Sequence, residues 1–523
     1  MFSTVTSGAV RGIISYLIEV EVDVSTGLPG FNMVGFMSGD VREAGDRVKV
    51  ALKNIGVKIP TSRITVNLSP ADIRKEGIVI DLPMAIAILL AMGEVDELSV
   101  KDTVILGELG LDGAVKPVKG ILPIVTKAKE MGKKTVLLPK ENAKEGAVVD
   151  GIRIIGVDSL QETICYLSAP EENKNSLIAP TTVDIREIFD MDSKRDDNLD
   201  FADINGQAAV KRAVEVAAAG FHHILLVGPP GSGKSMVAKR IPSILPGLSL
   251  EESLEVSTIY SVAGEIKENQ ALITKRPFMS PHHSITETAL TGGGNVPRPV
   301  VISLAHRGVL FLDEMAEFPR AKLDMLRQPM EDKFIHIARS KGTFSYPADF
   351  QLVGALNPCP CGYFPDRNKC KCTAKEIKRY LGHISGPILD RIDICVEAPR
   401  VDISDLSPKT KSLNETSKTI RQRVMVARKR QEERFKGTFL KFNSEMTPND
   451  IKKFCILGNK EEAYLENVFS SMELSARAYH KILRIARTIA DLDESDNIEQ
   501  IHLMEAVSYR MTDGKYWSQR EES

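Results

Sequence analysis

One octapeptide constrains this chain more than anything else in it. Gly228-Pro-Pro-Gly-Ser-Gly-Lys-Ser235 fits G-x-x-x-x-G-K-S/T at every fixed position. It follows the apolar run Ile224-Leu-Leu-Val227 and precedes a helical pattern over 236–241. Strand, glycine-rich loop and helix in that order build a cradle for nucleotide phosphates. Gly228, Gly231 and Gly233 place no Cβ between the backbone N–H groups and an anion, with Pro229, Pro230 and Ser232 completing the loop. The helix N-terminus adds a favourable dipole. Lys234 is predicted to reach the β- and γ-phosphates of ATP, and Ser235 to ligate Mg²⁺.

Two further apolar runs end in polar groups suited to the same chemistry. Val309-Leu-Phe-Leu312 runs into Asp313 and Glu314. A carboxylate at a strand end holds the Mg²⁺ shell, the expected role of Asp313. The next one, Glu314, orients or deprotonates the attacking water. Residues 351–356 end at Asn357, an amide placed to position that water or to sense the γ-phosphate. Apolar strands alternating with helical stretches predict an α/β core with a parallel sheet.

At 523 residues the chain is too long for one ordinary domain. Residues 1–168 alternate β-rich runs (18–24, 63–68) with helical ones (42–54, 82–92, 119–131), which predicts a separate α+β or α/β domain. Residues 169–200 are polar and acidic without sustained period, and read as a linker. The ATPase core spans 201–400, and 401–523 is helical in pattern. The longest apolar run, 82–92, has 11 residues against the ~20 that cross a membrane, so it reads as a core helix and no membrane partner is expected. The N-terminus lacks a secretory pattern, and seven cysteines are an odd number, which together predict reduced thiols in the cytoplasm. A net charge of -2 shows no global attraction for nucleic acid, so any such binding rests on a local patch.

These residues resemble the AAA+ ATPases, and within them the magnesium-chelatase-like YifB/ComM family, over nearly the whole chain. The specific stretches are Pro277-Phe-Met-Ser-Pro-His-His283, Gly292-Gly-Gly294, Ser303-Leu-Ala-His-Arg-Gly-Val-Leu-Phe-Leu-Asp-Glu314, Leu326-Arg-Gln-Pro-Met-Glu331, Asn357-Pro-Cys-Pro-Cys-Gly362 and Ser475-Ala-Arg-Ala478. The resemblance implies Walker A over 228–235, Walker B at Asp313 and Glu314, and sensor 1 at Asn357. It implies an arginine finger at Arg391 and the sensor-2 arginine of a helical lid at Arg477. Residues 201–207 would border the adenine. The sequence alone favours a salt bridge of Arg391 with Asp390 or Asp393, and the resemblance reverses that preference. A finger acting on a neighbour implies a homo-oligomeric ring, hexameric in this family. Arg327 is left facing either the nucleotide or a subunit interface.

Cys359, Cys361, Cys370 and Cys372 form two C-x-C pairs within 14 positions, a set suited to tetrahedral Zn²⁺. Reduced surface thiols or a disulfide are the alternatives. His383 is a possible substitute ligand, His282 and His283 stay unassigned, and Cys165, Cys395 and Cys455 are expected as buried small apolar residues.

Residues 1–168 are similar to the proteolytic domain of Lon proteases and the like domain of RadA-type proteins. The resemblance puts the serine position on Val79 and the dyad lysine position on Leu122. Neither side chain supplies a nucleophile or a base, which implies an inactive scaffold for assembly or DNA. Arg74, Lys75 and Lys119 are candidate surface contacts.

Residues 418–436 carry eight basic and two acidic side chains, either a phosphate track or a solvated face. Residues 333–346 alternate around Ser340-Lys-Gly342 and predict a β-hairpin. In AAA+ helicases such a hairpin points into the ring pore, which would bring Arg339 and Lys341 to DNA. The expected function is an ATP-driven DNA motor, a helicase promoting branch migration of recombination intermediates or of DNA taken up in transformation, with single-stranded or branched DNA as partner. The alternative is a chelatase-type ATPase that remodels a protein for metal insertion into a tetrapyrrole.

Overall fold

β-Branched residues at alternate positions build the first sheet of the protein. The structure is a computed structural model that describes residues 1–35, 39–71, 79–194, 199–268, 270–293, 297–339, 342–366, 368–400, 414–472 and 474–517. Strands β1 (Phe2–Arg11), β2 (Ile14–Ser25), β3 (Gly30–Val34), β4 (Arg63–Ser69) and β5 (Thr103–Ile105) open the chain. A small hairpin of β6 (Glu108–Leu109) and β7 (Val115–Lys116) follows, then β8 (Thr135–Pro139) and β9 (Arg153–Val157). The seven-stranded order is β3-β4-β2-β1-β5-β8-β9, antiparallel across β4-β2-β1 and parallel from β1 to β9. The helix Asp81–Met92 is buried at every position from Asp81 to Leu89, as its unbroken apolar run requires. Its one buried charge, Asp81, is matched by Arg47, whose Nε and Nη2 donate at 2.8 and 2.9 Å.

The second sheet is built of β10 (Ile224–Val227), β11 (Phe278–Met279), β12 (Val309–Leu312), β15 (Gln351–Leu356) and β16 (Ile394–Glu397). It is wholly parallel, in the order β11-β12-β15-β10-β16. β10, β12 and β15 are buried throughout, because helices cover both faces. The hairpin β13 (Phe334–Arg339) and β14 (Gly342–Pro347) pairs Arg339 with Gly342, as the alternation predicted. Ile335, Ile337, Phe344 and Tyr346 face inward, and Arg339 is exposed. Lys341 lies outside the described residues, as do Arg74, Lys75 and Gly294.

The polar span 169–200 contains two helices, Glu171–Leu177 and Ile185–Lys194, where the sequence suggested none. Val183, Ile185, Ile188 and Phe189 close a small apolar cluster with Val148, Leu254 and Leu272, so this segment packs on both flanking domains. The two domains also touch directly. Gly120 N donates to Ser261 O at 3.0 Å, and Ser261 Oγ donates to Glu145 Oε1 at 2.5 Å. Burial there pushes the Glu145 carboxyl up despite the Ser261 hydrogen bond.

Helices Ser417–Arg434, Ala476–Leu492 and Gln500–Trp517 pack on one face of the parallel sheet. The first carries the basic run, and Arg421, Arg423, Arg428 and Arg434 bond to neighbouring segments. Arg421 Nε donates to Ser243 O at 2.7 Å, and Arg423 pairs with Glu215 at 2.5 Å and Glu415 at 2.7 Å. Arg428 is buried over the Phe442 ring, 3.9 Å from its centroid, and Arg434 donates to Asp491 Oδ2 at 2.7 Å. This helix is a strut between the parallel-sheet domain and the C-terminal helices, with the acidic partners Glu215 and Asp491 on neighbouring helices. Among the described residues, no helix is long and apolar enough to cross a membrane.

Candidate nucleotide and metal sites

The register of the parallel sheet decides where the chemistry gathers. Val227 lies opposite Leu356 and Glu397, and Leu312 opposite Gly354, so the loops leaving β10, β12 and β15 emerge at one edge. There the three glycines of the octapeptide serve different ends. A Cβ on Gly228 would stand 2.2 Å from Ala398 O, so this glycine allows the loop to press on the exit of β16. Gly231 and Gly233 have φ of +76° and +84° with open space in front of them, where a phosphate would lie.

Lys234 is buried across this loop. Its Nζ donates to Gly228 O at 2.8 Å, Pro229 O at 2.9 Å and Asn357 Oδ1 at 3.3 Å. Burial pulls its pKa down to about 8, against the opposing pull of Asp313 and Glu314. Ser235 Oγ donates to Asp313 Oδ2 at 2.6 Å, which brings two hard oxygen donors together as Mg²⁺ requires. Glu314 is exposed beside them with φ +49°, its N–H donating to Asp313 Oδ1 at 3.0 Å. Lys234, Ser235, Asp313, Glu314 and Asn357, predicted separately, therefore meet at one edge. Gln207 was not singled out for this contact. Its Nε2 donates to Ser232 O at 3.0 Å and to Pro399 O at 2.5 Å, tying the loop to the β16 exit. Phe201 and Ile204, read as bordering the adenine, are core residues.

The two predicted arginines stand at the other edge. Arg391 precedes β16 and Arg477 begins the helix Ala476–Leu492. Arg391 Nη1 donates to Pro387 O at 2.8 Å and Nη2 pairs with Glu331, while its Nε is buried without a partner. Arg477 pairs with Asp390 at 2.9 Å. Neither Asp390 nor Asp393 holds Arg391 in these ion pairs; Asp393 instead accepts from His222 Nδ1 at 3.0 Å. A cavity of about 760 Å³ has both arginines in its lining. A second, of about 590 Å³, is lined by Arg327, Arg339 and Arg391, which places Arg327 on this face.

The four clustered cysteines converge, with sulfurs within 4.8 Å of one another. Sγ–Sγ distances are 3.4 Å for Cys359–Cys361, 3.7 Å for Cys359–Cys370 and 3.6 Å for Cys361–Cys370. Four sulfurs about 2.3 Å from one Zn²⁺ stand roughly 3.8 Å apart, whereas a disulfide is about 2.05 Å long. All four are free thiols. Burial pushes the Cys372 thiol up to about 12, while at Cys361 burial is overcome by hydrogen bonds from Tyr363 N–H and the neighbouring thiols, which bring it to about 6. His383 is engaged elsewhere, with Nδ1 2.6 Å from Ala316 O. Cys395 and Cys455 are buried as expected, but Cys165 is exposed. Its helix turns Leu160, Thr163, Tyr166 and Leu167 inward and leaves Cys165 outside.

In the amino-terminal domain Leu122 is buried and Val79 packs against the apolar cluster of Val118, Ile121 and Ile124, so neither position offers a hydroxyl or an amine. Lys119 donates to Ala263 O at 3.2 Å, an inter-domain contact.

Comparison with known proteins gives matches along most of the chain. The family described as magnesium chelatase, subunit ChlI, matches residues 200–406. Models described as subunit ChlI of Mg-chelatase and as the ChlI C-terminal region match 20–142 and 414–510. The chain is 43% identical over 511 residues to the Escherichia coli protein YifB, covering 98% of this chain and 97% of that one. It is 39% identical over 506 residues to the competence protein ComM of Haemophilus influenzae, covering 97% of each. A shorter match, 30% over 193 residues, joins it to Lon protease 2 of Bacillus subtilis, covering 32% of this chain and 34% of the protease.

Proposed function

This chain belongs to the magnesium-chelatase-like YifB/ComM family of AAA+ proteins, and on that premise we propose that it is an ATP-driven ring motor acting on DNA. The family implies ATP and Mg²⁺, and the edge that bears Lys234, Ser235 and Asp313 fits both. The observation that carries the ring is the separation of the site into two halves. One edge of the parallel sheet bears the phosphate loop, Asp313, Glu314 and Asn357, and the other bears Arg391 and Arg477. A head-to-tail ring joins the halves of adjacent chains, and a hexamer closes it.

Each residue then has a defined task. Backbone N–H groups of residues 231–235 and the Lys234 ammonium bind the phosphates. Ser235 and Asp313 would hold Mg²⁺, which would supply positive charge against the phosphates. Glu314 accepts a proton from the attacking water, and the Asn357 amide holds that water in line. Arg391 and Arg477 of the adjacent chain meet the charge that grows on the transferring phosphoryl group.

DNA as the partner rests on the exposed Arg339 at the hairpin end and on the name of the competence protein among the relatives. Six hairpins around one axis, each with Arg339 and Lys341, would meet phosphates without reading sequence, which suits branch migration. The cysteine cluster is a structural Zn²⁺ site, with cytoplasmic thiols reduced. Metal analysis of freshly reduced protein should find about one Zn²⁺ per chain.

The test is ATP turnover with and without single-stranded or branched DNA at low salt. Stimulation is expected, lost on replacing Arg339 and Lys341 by Ala while DNA-independent turnover stays. The ChlI description of the matched models favours a second reading, a motor that remodels a protein partner for metal insertion. Absence of both DNA binding and stimulation would select it.

A further inference from the structure

The cysteine loop lies directly on the phosphate loop. A Cβ placed on Gly362 would stand 2.3 Å from Pro230 Cδ and 2.7 Å from Pro230 Cγ, and Gly362 holds φ at +82°. Pro230 Cδ is bonded to the main-chain nitrogen, so it cannot swing aside as a flexible side chain would. It moves only with the phosphate-loop backbone. On the other side Gly362 follows Cys361, whose sulfur is 3.4 Å from Cys359 and 3.6 Å from Cys370. Phe364 N–H donates to Cys359 Sγ at 3.4 Å. Gly362 and Tyr363 share a cavity of about 430 Å³ with Gly228 and Pro229. The outer side of the loop is held too: Arg400 stacks over Tyr363 at 4.8 Å, and Phe364 meets the Tyr516 ring at 6.2 Å. The contact is therefore stiff on the phosphate-loop side, and on the other side only as stiff as the cysteine cluster.

We propose that the cysteine loop props the phosphate loop, so that metal at Cys359, Cys361, Cys370 and Cys372 and nucleotide at residues 228–235 bind with positive coupling. Gly362 is the positioning residue of that coupling. The inference rests on reading the cluster as a zinc site. A phosphate loop whose N–H groups already converge loses less freedom when it takes a nucleotide. Removing the metal frees the cysteine loop to relax away from Pro230, and the nucleotide must then order both loops. Linkage makes the effect reciprocal: nucleotide raises zinc affinity by the factor by which zinc raises nucleotide affinity.

The experiment uses the full chain, zinc-loaded or stripped by a chelator and dialysed back into Mg²⁺. ATP affinity is measured by calorimetry and zinc content by elemental analysis. Stripping is expected to weaken ATP binding about fivefold or more, the low end of ordinary coupling between sites. Zinc affinity, read by chelator competition, is expected to rise by the same factor with a non-hydrolysable ATP analogue. Gly362→Ala should weaken ATP binding while keeping its zinc, and in a Pro230→Gly background the same change should have a smaller effect, because the ring it strikes is gone. Should Gly362→Ala fail to fold, the paired change Cys361→Ser and Cys372→Ser reads the same coupling. Equal ATP affinity in zinc-bound and stripped protein overturns the prop while leaving the metal site standing. Protein that takes up no zinc overturns the metal reading, and the prop with it.

Discussion

Lys234 shows how one side chain links fold to chemistry. Burial lowers its pKa to about 8, so the ammonium proposed to meet the phosphates begins to lose its proton just above neutrality. Nucleotide favours the charged form, so ATP affinity should be highest below about pH 8. Above that, each pH unit should weaken it about tenfold, with one proton taken up per nucleotide, until the pKa of the bound state is passed. Calorimetry from about pH 7 to about pH 9.5 checks this, and a flat profile would place the charged group elsewhere. Lys234→Ala should lose nucleotide binding. Glu314→Gln should bind ATP as the parent does yet turn over about 100-fold more slowly or worse, because the Ser235–Asp313 metal pair is untouched while the proton acceptor is gone. Unchanged turnover would remove Glu314 from the reaction. That these residues gather at one edge was legible because the phosphate loop is contiguous and Asp313, Glu314 and Asn357 each end an apolar run. Gln207, Gly362 and the Asp390–Arg477 pair were not, since each acts on a partner far along the chain.

Among the elements, strands whose apolar runs are bounded by polar groups were read at their true limits, as β10, β12 and β15 show. The helices within 169–200 were missed because the apolar partners of Val183, Ile188 and Phe189 come from other segments. The basic helix Ser417–Arg434 left two readings open for the same reason: its counter-charges lie on other helices. Asp491 is the strongest case. It is fully buried and accepts from Arg434 Nη1 at 2.7 Å and Asn443 Nδ2 at 2.9 Å, with Arg487 3.3 Å away. Asp491→Ala would strand buried guanidinium groups and should cost about 3 kcal/mol. Urea unfolding should show this as an earlier transition, and an unshifted midpoint would mean the helix is not a strut. Charge removal at the outward Lys429 should leave the transition where it is.

For the whole molecule, Lys234 and Arg391 stand at opposite ends of neighbouring parallel strands, Lys234 beyond the carboxyl end of β10 and Arg391 before the amino end of β16. A Lys234→Ala chain still offers an intact arginine edge, and an Arg391→Ala chain an intact phosphate edge. Mixing the two inactive variants under conditions of subunit exchange should restore turnover at the mixed interfaces. A mixture as inactive as either parent, in rings that do exchange, would show that Arg391 does not act across the interface. The same separation has a consequence for control of the protein in the cell. In the proposed ring, a chain that holds both halves of a site but cannot fold one onto the other would be idle when dilute, whatever the supply of fuel. Its specific activity would then climb with its own abundance, so the rate of synthesis itself would become the throttle, and a modest rise in copy number would turn a silent population into a working one.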